Sequence, residues 1–214
     1  MKYLLTIVIT ATLLISLPAC GNGNGKEEAK EPAVSETASK AASELNVVFS
    51  DKEEYKPGAF ELKKTFAYIS GMRYNAKATA KLAYIVFANY DAQLGLYGID
   101  MPKETGQIAV VVSFKTDNKV IPMAQQMEEY AKMQVPTGTF QPSWMGDNKS
   151  FQATYYVGGE TGGMGMSGTG ASGTATLTTS TPEKLIGSID FTSVNGSTIK
   201  GSFNVKVEKD LWNN

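Results

Sequence analysis

The chain has 214 residues, 20 lysines and arginines against 21 aspartates and glutamates, no histidine and a single cysteine. Without histidine there is no Ser-His nucleophile and no imidazole metal site, and one cysteine cannot close an internal disulfide. A charge near zero with no basic cluster gives no reason to expect nucleic acid as a partner.

Met1-Lys2 opens the chain with positive charge, and the apolar stretch from Leu4 to Leu17 is too short to span a bilayer comfortably. It reads as a secretory signal. Leu17-Pro18-Ala19-Cys20 follows, and this L-P-A-C resembles the lipobox of bacterial lipoproteins. The resemblance covers only the start of the chain. It implies that residues 1–19 are a signal peptide, that Cys20 carries diacylglycerol on its thiol, and that a fatty acyl group caps the new amino terminus. Two or more acyl chains anchor stably where one is marginal, and lipidation disposes of a free thiol in an exported protein. Gly21, where the proteobacterial sorting rule would place Asp for inner-membrane retention, implies the outer membrane of the cell envelope.

Residues 21–44 contain no aromatic residue and only one branched aliphatic, Val34. Such a segment cannot bury enough apolar surface to offset its ordering entropy. Residues 20–44 are therefore expected to be a lipidated cysteine and flexible tether, holding a domain about 25–30 Å from the membrane. Residues 45–214 are a normal size for one domain. Asp51-Lys-Glu53-Glu54 reads as its solvated beginning.

Phe60–Ile69, Leu82–Tyr90, Gln107–Phe114 and Phe151–Val157 have the β-branched and aromatic composition of strands. Turn residues at Pro57-Gly58, Thr116–Lys119, Gly146–Asn148 and Thr181–Glu183 separate them. The density of strands and turns predicts an all-β domain, an antiparallel β-sandwich of immunoglobulin-like or related type. One helix is expected at about 122–133: Pro122 suits a first turn, Met123, Met127 and Tyr130 share a face, and Glu128 and Lys132 are spaced i, i+4.

Two strands at about 184–193 and 197–208 flank Val194-Asn195-Gly196. A two-residue Asn-Gly loop would set Phe191 opposite Lys200 and send the apolar residues of the two strands to opposite faces. A three-residue loop with Gly196 left-handed pairs Phe191 with Ile199, Leu185 with Val205 and Gly187 with Phe203. A shared core face selects the second register.

Gly168-Thr-Gly170-Ala-Ser-Gly173 spells G-x-G-x-x-G, but strand-like TATLTTST follows it instead of a helix, so no nucleotide site is expected. Eight of the sixteen residues from Gly158 to Gly173 are glycine, which predicts a mobile hairpin loop. Met164 and Met166 on that loop are soft thioether ligands that suit Cu(I) or Ag(I). Met123, Met127, Met133 and Met145 add further sulfurs, which core packing also explains. Carboxylate pairs, for example among Asp91, Asp100 and Glu104 beside Tyr90 and Tyr97, are conceivable in the style of a glycoside hydrolase, and solvated loop positions explain them as well. Trp144 is either a packed loop anchor or the mark of a binding surface. No cofactor and no catalytic residue are expected.

The sequence thus points to a non-catalytic binding or structural module, anchored to the envelope membrane through Cys20 and facing a protein or other envelope partner. The alternative is a carrier of a small apolar ligand or of Cu(I)/Ag(I). A filled core separates the first from a carrier, which needs an internal pocket.

Overall fold

The computed structural model describes residues 43–75, 78–96, 98–117, 119–143 and 149–211. The signal, Cys20 and tether, together with Tyr97, Trp144 and Met145, lie outside the described residues. The strands are β1 (Glu44–Val48), β2 (Lys64–Asn75), β3 (Ala78–Ala88), β4 (Leu94–Gly95), β5 (Gly98–Ile99), β6 (Ile108–Lys115) and β7 (Lys119–Val120). After a 3-10 turn at Met123–Gln125 and the helix α1 (Gln126–Lys132) come β8 (Gly138–Pro142), β9 (Ser150–Val157), β10 (Gly163–Gly165), β11 (Ser172–Ser180), β12 (Lys184–Thr192) and β13 (Thr198–Asp210).

The expected sandwich is not what forms. The sheet runs β13-β12-β11-β8-β9-β6-β3-β2 and returns to β13, closing an eight-stranded barrel. Most neighbours are antiparallel, but β8 and β9 pair in parallel through Gln141–Ser150 and Pro142–Phe151. So do β13 and β2 at the closure, through Val207–Ala67 and Asp210–Ile69. Sandwich and barrel share the same alternation of inward and outward residues, so composition does not separate them. Here the length of β13 decides. Its first half carries β1 at residues 198–202, and its second half extends past β1 to take β2.

Inward positions build one core: Ala67 and Ile69 from β2, Ala83, Ile85 and Phe87 from β3, and Phe114 from β6. Phe140, Phe151, Phe191 and Phe203 complete it from β8, β9, β12 and β13. Phe114 meets Phe140 at a ring separation of 5.0 Å, Phe151 at 6.2 Å and Phe203 at 6.4 Å. Phe151 meets Phe191 at 5.5 Å. Eight strands give an interior just wide enough to be filled by side chains or to hold one small ligand, and here phenyl rings fill it. Gly187 shows how tight the fit is: a Cβ there would lie 1.9 Å from the Thr176 carbonyl oxygen and 2.7 Å from the Phe203 ring.

The unbroken β-branched run of β6 has a local cause. Its inner face joins the core, while Ala109 and Val111 face outward under a second apolar layer. In that layer Phe66, Val86, Ala92, Leu94 and Ile99 lie together, so the segment between β3 and β6 covers the sheet. A strand buried on both faces loses the polar half of its alternation.

The β12–β13 hairpin has the three-residue register: Phe191 pairs with Ile199, Leu185 with Val205 and Gly187 with Phe203. Gly196 is left-handed at φ +91. The helix also forms where expected, with Lys132 bonded to Glu128 at 2.8 Å. Among the described residues no helix is long and apolar enough to cross a membrane.

Candidate functional site at the helix-capped mouth

The two ends of the barrel are closed differently. At one end the connection between β1 and β2 folds over the core, with Phe49 against Tyr155 at 5.3 Å and Tyr55 against Tyr155 at 6.5 Å. Glu53, only 3% exposed, fixes this connection to the β12–β13 loop. Its carboxylate accepts hydrogen bonds from the Ser197 hydroxyl at 2.6 Å, the Ser193 hydroxyl at 3.2 Å and the Asn195 amide at 3.1 Å. Burial first and the charge of the nearby Glu53 carboxylate second push the Tyr155 phenol up to about 12.

The other mouth is more open and carries charge. Along β3 the inward positions Phe87, Ile85 and Ala83 lead to Lys81, opposite Gly71 of β2. The Lys81 backbone is held by Thr116, whose hydroxyl accepts from the Lys81 N–H at 2.9 Å and whose own N–H donates to the Lys81 carbonyl at 2.9 Å. On β13 an irregularity between Val207 and Lys209 brings Asp210 level with the inward Ile69. Lys81 Nζ and Asp210 Oδ2 then stand 3.5 Å apart, with side chains 10% and 24% exposed. The fully buried Tyr130 of α1 caps the ammonium, its ring centre 4.6 Å from Nζ. Burial and then the negative charge of Asp210 hold the Tyr130 phenol far above its usual range.

Beside this pair lies a cleft of about 240 Å³. Ile69 and the charged pair form one side, the chain leaving α1 through Met133 and Val135 another, and the β11–β12 turn at Ser180-Thr181-Pro182 the third. Thr181 stiffens that turn by accepting hydrogen bonds from the N–H groups of Lys184 and Glu183 at 3.1 and 3.3 Å. The result is a largely apolar recess with Gln134, Ser180 and Thr181 and one positive and one negative group in its lining, the pattern of a small-ligand site.

The residues singled out in the sequence are placed elsewhere. Met166 is 1% exposed in the barrel core, its N–H bonded to the Ala153 carbonyl at 2.8 Å. Met164 lies in β10, which pairs with β9, and packs partly buried against the same core. The glycine-rich segment therefore supplies a short strand and core packing, and does not display two thioethers on an open loop. Met133 belongs to a separate cluster with Ile121 and Tyr130. Asp91 pairs with Lys64 at 3.6 Å, and the Glu104 carboxylate accepts from Gln107. The Tyr90 hydroxyl donates to the Asp100 backbone carbonyl, not to its carboxylate. Among the described residues no three His, Cys, Asp or Glu converge to hold a metal.

The sequence does not single out Lys81 and Asp210, and it marks Tyr130 only as part of a helix face. Lys81 has a signal, because it continues the inward phase of β3, but the irregularity in β13 shifts Asp210 out of the phase its strand sequence suggests.

The buried phenols give a measurable consequence. Burial raises Tyr155 and Tyr90 to about 12, against about 10 for an unfolded tyrosine. A group with a raised folded pKa keeps its contribution below the unfolded value and loses it as pH climbs through the folded one. Stability is therefore expected to be unaffected by these groups below about pH 10 and to decline from there toward pH 12. Ultraviolet phenolate titration, native against denatured, checks it: coincident curves would contradict the packing described.

No protein-family model, curated protein or solved structure matches this chain.

Proposed function

We propose that the protein is a non-catalytic binding module of the bacterial cell envelope, anchored in the outer membrane through acylated Cys20 and a tether, with the α1 mouth of the barrel as its binding surface. The packed interior carries the choice between the two readings. An eight-stranded barrel is compatible with carrying a small ligand, but here phenylalanine rings occupy the space such a cargo would need. The mouth, by contrast, offers a recess with opposite charges in its lining. The anchoring half of the proposal is supported by L-P-A-C at residues 17–20.

Anchoring is tested by expressing the full chain and its Cys20→Ser variant in a bacterial host fed with labelled palmitate. The natural chain is expected to take up label and enter the detergent phase on Triton X-114 partition, while Cys20→Ser does neither. A natural chain that stays unlabelled and water-soluble would remove the membrane from this account.

A further inference from the structure

We infer that the α1 mouth binds a small zwitterion, an α-amino acid with an apolar side chain. The inference rests on the mouth being a binding surface and names what it recognises.

Lys81 on β3 and Asp210 on β13 project from inward positions on either side of β2, at the rim of an interior that is otherwise apolar. Such a pair is not needed to hold a barrel together, because apolar side chains of similar volume serve at least as well in a partly buried place. Lys81 Nζ and Asp210 Oδ2 stand 3.5 Å apart. Tyr130 covers the ammonium on one side, and the recess lies along another.

Charge complementarity then narrows the ligand. An anion drawn to Lys81 would meet the Asp210 carboxylate at close range, and a cation drawn to Asp210 would meet the Lys81 ammonium. In a recess of low dielectric either repulsion is strong. A zwitterion with its two charges side by side satisfies both groups at once, its carboxylate toward Lys81 and its ammonium toward Asp210. The amino and carboxyl groups of an α-amino acid have that spacing by covalent geometry. Gln134, Ser180 and Thr181 add polar groups to the lining, but most of its area is apolar, with Ile69, Met133, Val135 and Pro182 placed to suit an aliphatic side chain. At about 240 Å³ the recess is of a size for a single amino acid, not for a lipid.

The test is calorimetric titration of the full chain, purified in detergent, with three probes of one shape. These are L-leucine, 4-methylpentanoate, which lacks the ammonium, and 3-methylbutylamine, which lacks the carboxylate. Leucine is expected to bind at least tenfold more tightly than either single-charge analogue. Ala131→Trp, an exposed position on the cleft wall, is expected to abolish leucine binding without lowering the melting temperature. The charge-neutral double variant Lys81→Met/Asp210→Leu is expected to fold and lose leucine as well. If an analogue binds as tightly as leucine and Ala131→Trp blocks it, the mouth remains a binding surface but the zwitterion reading falls. If leucine binding survives Ala131→Trp, or no probe binds, the inference is overturned, and in the last case the mouth falls with it.

Discussion

Phe114→Ala is expected to lower the unfolding free energy by about 4 kcal/mol, the middle of the range for emptying an aromatic site in a core. Phe114 is fully buried, and its ring contacts come from three other strands, with Phe140 on β8, Phe151 on β9 and Phe203 on β13. A cavity is least expensive where its walls can move in. Around this one the walls are strands of a closed hydrogen-bonded ring, whose radius is set by strand number and stagger. Little collapse is expected, so transfer and cavity terms both apply in full. With typical domains stable by about 5–15 kcal/mol, one substitution would remove a large share of the total. Urea unfolding measures the loss. An empty, dry apolar cavity also takes up small apolar molecules, so saturating benzene should restore part of the melting temperature of Phe114→Ala and leave the natural protein unchanged. A loss under about 1 kcal/mol would mean that the rings do not fill the interior, and the carrier reading would return.

Glu53→Ala is the second large effect, expected at about 3 kcal/mol. The mechanism is different. No hydrophobic volume of consequence is lost, but the buried Ser193 and Ser197 hydroxyls and the Asn195 amide lose the carboxylate they donate to. Ser197 also accepts from the Ser50 N–H at 2.9 Å, so the defect spreads into the β1–β2 connection. Hydrogen bonds to a charged acceptor contribute about 1.5–3 kcal/mol each, and leaving buried partners unsatisfied is worse than never having had them. Glu53→Gln keeps the shape and one oxygen for the serines, and should lose only about 1 kcal/mol. Denaturant unfolding of the two variants checks the ranking. Equal losses for Ala and Gln would mean that side-chain volume and not hydrogen bonding is what matters at this position.

Glu53 also shows where reading the sequence stops. In Asp51-Lys-Glu53-Glu54 it looks like one more solvated charge, and Asp51, Lys52 and Glu54 are indeed exposed. What removes Glu53 from water is a loop far along the chain, and nothing local announces it. Long strands with clear periodicity were legible, and so was the β12–β13 register, because a single slip would have turned Phe191, Leu185 and Phe203 away from a common face. Short strands were not. Glu44–Val48 and Gly138–Pro142 take their strand character from the neighbours they pair with, and the second holds both a glycine and a proline. Closure was illegible for a similar reason: it depends on how far β13 outruns β1, a matter of relative length between elements far apart in sequence. The candidate site inherits that difficulty, since Asp210 faces inward only because of the irregularity just before it.

The parallel union of β2 with β13 carries a consequence for biogenesis. β13 is the last of the strands in chain order, and β2 is among the first. A nascent polypeptide emerging from the ribosome cannot complete the ring until β13 has been made. Until then the phenylalanines that will line the interior have no enclosure, and contacts between distant segments form slowly. An open ring of this kind leaves the edges of β2 and β13 unpaired until the two strands meet, the state in which a chain can still be unthreaded.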